Sequence, residues 1–274
     1  MLEGISFGQY YSAKSFVHKM DARIKILLLI AYLVTVFVVK NFYGFLALAG
    51  FLILAIAFSR VPVLSVLKSI KGIIFLIIFT VILNILFFGV QEGDKVLLDA
   101  GWLKITDRSL YFSAFMALRL IMLVLGSSVL TLTTTPVALT DGIESLLSPL
   151  KLIKFPVHEL ALIMSIALRF IPTIANETNR IINAQKARGG DFDSGGPIKR
   201  IKAMIPVLIP LLVSSFRRAE ELGDAMDARC YSGSKNRTRY KVMKIGVRDL
   251  VATLLYAGVL TLVIVFNGRF PAVL

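Results

Sequence analysis

The sequence predicts an all-α membrane protein. About five transmembrane helices are expected, with a cytoplasmic region of long kinked helices between the fourth and the fifth. Three observations predict this. Hydrophobic residues fill 57% of the 274 positions and the mean hydropathy is +0.79, more apolar content than a soluble domain of this length uses. That content is gathered into runs approaching the ~20 residues that cross a bilayer. The net charge is +14, from 31 Lys and Arg against 17 Asp and Glu, and the cations cluster where a positive-inside arrangement makes the chain cytoplasmic.

The elements follow in order. Residues 1–25 are polar and aromatic, with Lys14, Lys19, Arg23 and Lys25 ahead of the first run. No small-residue cleavage pattern of a secretory signal follows that run. Residues 26–39 and 42–58 are the first two spans, separated by a polar turn at Lys40-Asn41. Arg60, Lys68 and Lys71 mark a basic loop, and 72–90 is the third span. The loop 91–108 holds the only tryptophan, Trp102, read as an interface anchor. Residues 110–132 form the fourth span. Residues 1–135 are thus one division of the chain, 136–246 the cytoplasmic region and 247–274 the last span with its tail.

Within 136–246, Asp141 and Glu144 have capping-box spacing. Ile143, Leu146, Leu147 and Leu150 then fall on one face of a short amphipathic helix ended near Pro149. Residues 157–188 begin apolar and turn polar, with a kink expected at Pro172. Glycine pairs then break the chain. Residues 198–229 repeat the plan, with Pro206 and Pro210 in the apolar half. Leu212, Phe216, Ala219, Leu222 and Met226 form a stripe opposite Arg217, Arg218, Glu220 and Asp224. Lys235, Arg237, Arg239, Lys241, Lys244 and Arg248 read as an anchor to anionic lipid. A cytoplasmic N-terminus places about 25 of the 31 cations inside and five outside, with the C-terminus outside.

Several chemistries are excluded. The chain contains no Gly-Lys dipeptide for a P-loop, no G-x-G-x-x-G and no G-x-S-x-G. His158-Glu159 lacks the second histidine of a zinc-protease motif, since Leu occupies position 162. One cysteine, Cys230, rules out an internal disulfide and a cysteine-rich metal site. No catalytic residue, cofactor or metal ligand is expected, and the basic charge is assigned to membrane rather than to nucleic acid.

One motif is doubled. Ala184-Gln185-Lys186-Ala187-Arg188-Gly189 returns as Ala225-Met226-Asp227-Ala228-Arg229-Cys230, with Arg188 and Arg229 separated by 41 positions. Each copy ends a long helical stretch and precedes Gly/Ser-rich sequence. A cation at a helix C-terminus is favourable against the macrodipole by roughly 0.3–1 kcal/mol whatever its purpose. The repetition points further, to two guanidinium groups offered to acidic grooves, where a planar fork makes contacts that lysine cannot. Gly189 permits the left-handed turn that ends a helix. Cys230 accepts it less readily, so the second helix is expected to end differently or to run on.

The paired Ala-Arg-Gly and Ala-Arg-Cys signatures resemble those of the T-component (the EcfT family) of energy-coupling-factor transporters. Ser15-x-x-His18-x-x-Asp21-Ala22-Arg23-x-Lys25 is similar to that family's opening motif, and Leu168-Arg169-Phe170-Ile171-Pro172 is a third match. Ala22 stands where the family usually has proline, and Cys230 where its second glycine is expected. The resemblance implies a non-catalytic membrane scaffold that joins two related cytosolic ATPases to a small substrate-binding membrane protein, the S-component. It implies an ATPase interface at Ala187, Arg188, Gly189, Ala228, Arg229 and Cys230. An S-component surface is expected at Leu212, Phe216, Ala219, Met164 and Leu168, although these residues equally suit packing against the spans. Arg119 lies inside the fourth span, where a charge is costly. Its expected neighbour is Asn84, the alternative being snorkelling to the headgroups. Two other readings are an ABC importer permease with its own substrate path and a membrane-anchored basic binding protein.

Overall fold

A computed structural model describes residues 10–87, 96–99, 104–153, 155–192, 196–233 and 245–269. The helices are α1 (Ala22–Val38), α2 (Phe42–Ser59), α3 (Val63–Lys71), α4 (Ile74–Phe87), α5 (Asp107–Thr133), α6 (Pro136–Leu146), α7 (Val157–Ala187), α8 (Pro197–Asp227) and α9 (Val247–Arg269). Strands β1 (Val96–Asp99) and β2 (Lys104–Thr106) pair antiparallel, with Asp99 opposite Lys104. A 3-10 turn spans Ser148–Ile153.

Polar side chains set the helix starts. Asp21 caps α1 by accepting from Arg23 N, and Asn41 caps α2 by accepting from Gly44 N. Thr106 and Ser109 form a reciprocal capping box at α5. Ala22 occupies the first position of α1, where proline and alanine both fit, so the departure from the family pattern costs the helix little. The helix that contains Asp141 and Glu144 begins five residues earlier than its expected capping box, at Pro136. Thr135 Oγ1 there accepts from Ala138 N at 3.2 Å. Glu144 is turned instead to His158 Nδ1, at 3.1 Å.

Four of these helices are long and apolar enough to cross a membrane: α2, α5, α7 and α9. The pair α3–α4, bent by 54°, makes a fifth. This list differs from the expected one in two members. With 17 residues, α1 is about 25 Å long, at the lower limit for a span. Conversely, α7 is continuous through Pro172 for 31 residues, so its apolar start gains enough flanking length to qualify. Likewise α8 runs unbroken through Pro206 and Pro210. The loop expected at Arg60, Lys68 and Lys71 contains α3, whose Lys68 and Lys71 fall in its last turn, favourable against the helix dipole. Trp102 and the cluster from Lys235 to Lys244 lie outside the described residues.

Packing divides the chain into two units: residues 10–143 with 245–269, and residues 144–233. In the first, Tyr32, Val36, Phe45, Leu48, Phe115 and Tyr256 form the centre, contributed by α1, α2, α5 and α9. Phe45 and Phe115 meet at 4.8 Å between centroids. Gly126 is required here, since a Cβ would stand 2.3 Å from Tyr32 Cε1. The outer faces are apolar: Leu46 is 74% exposed and Phe75 80%. Water-facing proteins do not expose surface of this kind, whereas lipid solvates it.

A polar knot ties the ends of α1, α5 and α9. Asp249, only 3% exposed, accepts from Asp21 N at 2.9 Å and from Gly246 N at 2.8 Å. Lys25 Nζ donates to Thr133 O at 3.0 Å and Thr134 Oγ1 at 3.3 Å, at the C-terminus of α5. Arg23 forks onto the Asp21 carboxylate at 2.8 Å. His18 Nε2 meets the Tyr11 carbonyl at 2.8 Å, and Ser15 Oγ its Nδ1 at 2.7 Å. The opening motif is therefore a structural knot. The Arg23 hydrogen bond holds the Asp21 carboxyl below the usual carboxylate range. Its stabilisation is present above the unfolded value and is lost as pH falls through the folded one. Asp249→Ala leaves two buried amides unpaired, an expected cost on the order of 3 kcal/mol. The purified protein should melt several degrees lower, with Asp249→Asn intermediate.

Candidate coupling-helix tips

The second unit contains α7 and α8, packed side by side. Glu177 joins them: it accepts from Ser214 Oγ and from Arg218 Nη2, the latter at 2.7 Å. Arg218 also lies over the Phe170 ring, 5.9 Å from its centroid. Further along α7, Gln185 Nε2 stands 3.5 Å from Pro206 O. Later residues of α7 thus meet earlier residues of α8, so the helices run antiparallel. Their C-terminal ends leave the crossing on opposite sides.

Glu177 and Arg218 are themselves 41 positions apart, the same interval that separates Arg188 from Arg229. Each tip arginine therefore stands eleven residues beyond its helix's member of the crossing pair. At 1.5 Å per residue, that is roughly 16 Å from the crossing for each tip. Glu177 and Arg218 are thus equivalent positions of the two copies, and they meet where the helices cross.

Both ends are built by one hydrogen-bond pattern. At α7, Gly190 N donates to Gln185 O at 2.8 Å and Gly189 N to Lys186 O at 3.0 Å. At α8, Tyr231 N donates to Met226 O at 3.1 Å and Cys230 N to Asp227 O at 2.8 Å. These are the two bonds of the Schellman motif. The left-handed residue is Gly189 at φ +87° in one copy and Cys230 at φ +55° in the other. The expectation that α8 would end differently is therefore corrected. Cys230 adopts the left-handed conformation and closes the same turn, at a cost of about 1 kcal/mol relative to glycine. Arg188 and Arg229 occupy equivalent positions, just before that residue. Both are exposed, as are Ala184, Ala187, Ala225 and Ala228. Among the described residues, neither guanidinium has a hydrogen-bond or ion-pair partner.

The chain matches the family model described as cobalt transport protein (CbiQ) over residues 13–240. It is 46% identical over 270 residues to the energy-coupling factor transporter transmembrane protein EcfT of Ruminiclostridium cellulolyticum, covering 98% of this chain and all of the relative. The protein of that name from Clostridium kluyveri is 46% identical over 254 residues, 93% of each chain. That of Bacillus subtilis is 44% identical over 241, covering 88% of this chain and 90% of the relative. The chain belongs to the EcfT family. It is the transmembrane component of an energy-coupling factor transporter.

The remaining predicted residues take clear positions in this EcfT-family chain. Leu212 and Phe216 are 59% and 64% exposed, and Ala219 is exposed beside them. With Ile201, Ile205 and Leu208 they continue one apolar stripe along α8. On α7, Met164 is 51% exposed and Leu168 half-buried. Arg119 and Asn84 do not meet. Asn84 Nδ2 donates to Thr80 O in its own helix at 2.8 Å. Arg119 Nη2 donates to Val39 O at 2.9 Å and its guanidinium lies 5.0 Å from the Phe115 centroid. The reason is local: Val39 ends α1, and its carbonyl has no next turn to bond. Arg119 thus caps the end of α1 and is not paired to Asn84.

Sequence reasoning missed Glu177 as the tie and set Arg218 on the solvent face. The 41-residue interval was the available signal, because it maps one onto the other. It also missed Asp249, whose position three residues after Gly246 is capping spacing. Gly189→Ala should fray the last turn of α7 and Cys230→Gly should firm that of α8. Hydrogen exchange at the Gly190 and Tyr231 amides should speed and slow, respectively, by about fivefold for ~1 kcal/mol.

Proposed function

We propose that this chain transmits ATP-driven motion from two cytosolic ATPase subunits to a substrate-binding S-component, for uptake of a vitamin or trace nutrient. The observation that carries this reading is the pair of identically capped, exposed arginines at opposite ends of one helix pair. Two tips of one design suit two related subunits, each with an acidic groove. A guanidinium at the end of a rigid helix, flanked by alanines, enters such a groove without steric bulk and makes bidentate contacts there. The antiparallel tie at Glu177 makes α7 and α8 a single lever. When nucleotide draws the subunits together, both tips are displaced and the crossing turns.

In this reading ATP hydrolysis belongs to the partners, and the exposed stripe through Leu212, Phe216 and Ala219, with Met164 and Leu168 on α7, receives the S-component. The protein lies in the cell membrane with its N-terminus cytoplasmic and its C-terminus outside, following the distribution of cations.

Cys230 gives a direct test of tip seating. The only cysteine, it is exposed beside Arg229. It should react readily with a maleimide in the isolated chain and be protected in the assembled complex with the ATPases. Equal labelling in both states would refute seating of that tip. Arg188→Ala and Arg229→Ala should each lower coupled uptake, and the double variant should abolish it while the chain still inserts in the membrane. Leu212→Glu with Phe216→Glu should release the S-component and leave ATPase capture intact. Loss of expression instead assigns that stripe to packing.

A further inference from the structure

Two cavities of the first unit meet at a pair of aromatic rings. One, of about 130 Å³, is lined almost wholly by apolar side chains, among them Leu28, Leu52, Ala55, Val129 and Leu255. Its size compares with the ~150 Å³ engineered cavity that holds benzene. The other, of about 490 Å³, is lined by Lys14, Lys19, Arg60 and Arg248 with Ser15 and Ala57. Phe16 and Phe58 line both, their rings 6.1 Å apart.

The basic cavity contains four cations and no acid in its lining. The two carboxylates nearest in sequence are already used, Asp21 by Arg23 and Asp249 by backbone amides. Among the described residues, none of the four cations has a hydrogen-bond or ion-pair partner. Arg60 is the left-handed C-cap residue of α2, at φ +55°, and so stands at the end of that helix. Like charges gathered without counter-charge, beside an apolar cavity, describe one amphiphile: an anion joined to a hydrocarbon chain.

We propose that the joined cavities bind one anionic phospholipid. Its phosphate lies among Lys14, Lys19, Arg60 and Arg248, and one acyl chain passes Phe16 and Phe58 into the apolar cavity. A free phosphate makes no use of the hydrocarbon-lined half, and a zwitterionic lipid brings a cation into a site that already has four.

The full-length protein is equilibrated with vesicles of equal parts phosphatidylglycerol and phosphatidylcholine, extracted, and its retained lipid counted by native mass spectrometry. One phosphatidylglycerol per chain is expected, retained about tenfold or more over phosphatidylcholine. Lys14→Gln with Lys19→Gln, Arg60→Gln and Arg248→Gln should bring the two lipids to parity. Ala55→Phe keeps all four cations and should still reduce retention severalfold by filling the apolar half, while millimolar inorganic phosphate displaces nothing. Should the fourfold variant not fold, the wild type still decides, because phosphatidylglycerol should raise its melting temperature and phosphatidylcholine should not. Equal retention of both lipids, or unchanged preference in the fourfold variant, overturns the proposal. Displacement by phosphate together with an indifferent Ala55→Phe also overturns it, in favour of a simple anion site.

Discussion

A helix cannot simply stop: its last carbonyls need donors, and the cheapest donors come from a chain that reverses through the left-handed region. That requirement fixes both tips of this protein. The reversal turns the backbone away immediately after the arginine, which leaves the guanidinium exposed at the end of the helix. Preceding alanines keep the final turn narrow. The presence of Cys230 at φ +55° shows that the turn is imposed by its hydrogen bonds and not by the glycine that usually eases it. The tip geometry survives the loss of its favoured residue at a cost of about 1 kcal/mol, small against the fold as a whole.

What makes two tips into one device is their crossing. Glu177 takes both a hydroxyl and a guanidinium from α8, and each member of the ion pair is about a quarter exposed. An isolated pair of that exposure is worth little, but its place matters more than its energy. Glu177 and Arg218 stand at equivalent positions of the repeat, so the tie lies eleven residues before each tip arginine. The apolar stripe on α8 passes through the same region, with Leu212 and Phe216 on either side of Ser214. The tie and the hydrophobic stripe therefore lie within one turn of each other on α8.

Hydropathy alone located most of the membrane helices, because period and length report burial in lipid without reference to neighbours. Caps and breaks were less legible, since they depend on partners distant in sequence. Asp141 and Glu144 had the spacing of a cap, yet Thr135 captured the role by standing at the true start, and Glu144 went to His158. Arg60 to Lys71 looked like loop because three cations in a short stretch mask the helical spacing of Val63, Val66 and Ile70. The arginine tips were visible through repetition. The tie between them was visible only as an interval, whose meaning emerged once the helices were seen to run antiparallel.

Four polar side chains of the first unit share a role at helix ends. Lys25 closes the end of α5, Arg119 closes the end of α1, Asn41 donates to Phe266 O near the end of α9, and Asp249 binds two amides. Each of these side chains holds a helix terminus, which is what a rigid support requires, although the buried Nε of Arg119 has no hydrogen-bond partner among the described residues. A substrate path would need such groups turned toward a passage, unsatisfied until cargo arrives. Here they hold the frame, while one exposed stripe of α8 is hydrocarbon and the exposed tips are charged. Among the described residues, these polar groups brace the ends of α1, α5 and α9, which is the work of a support.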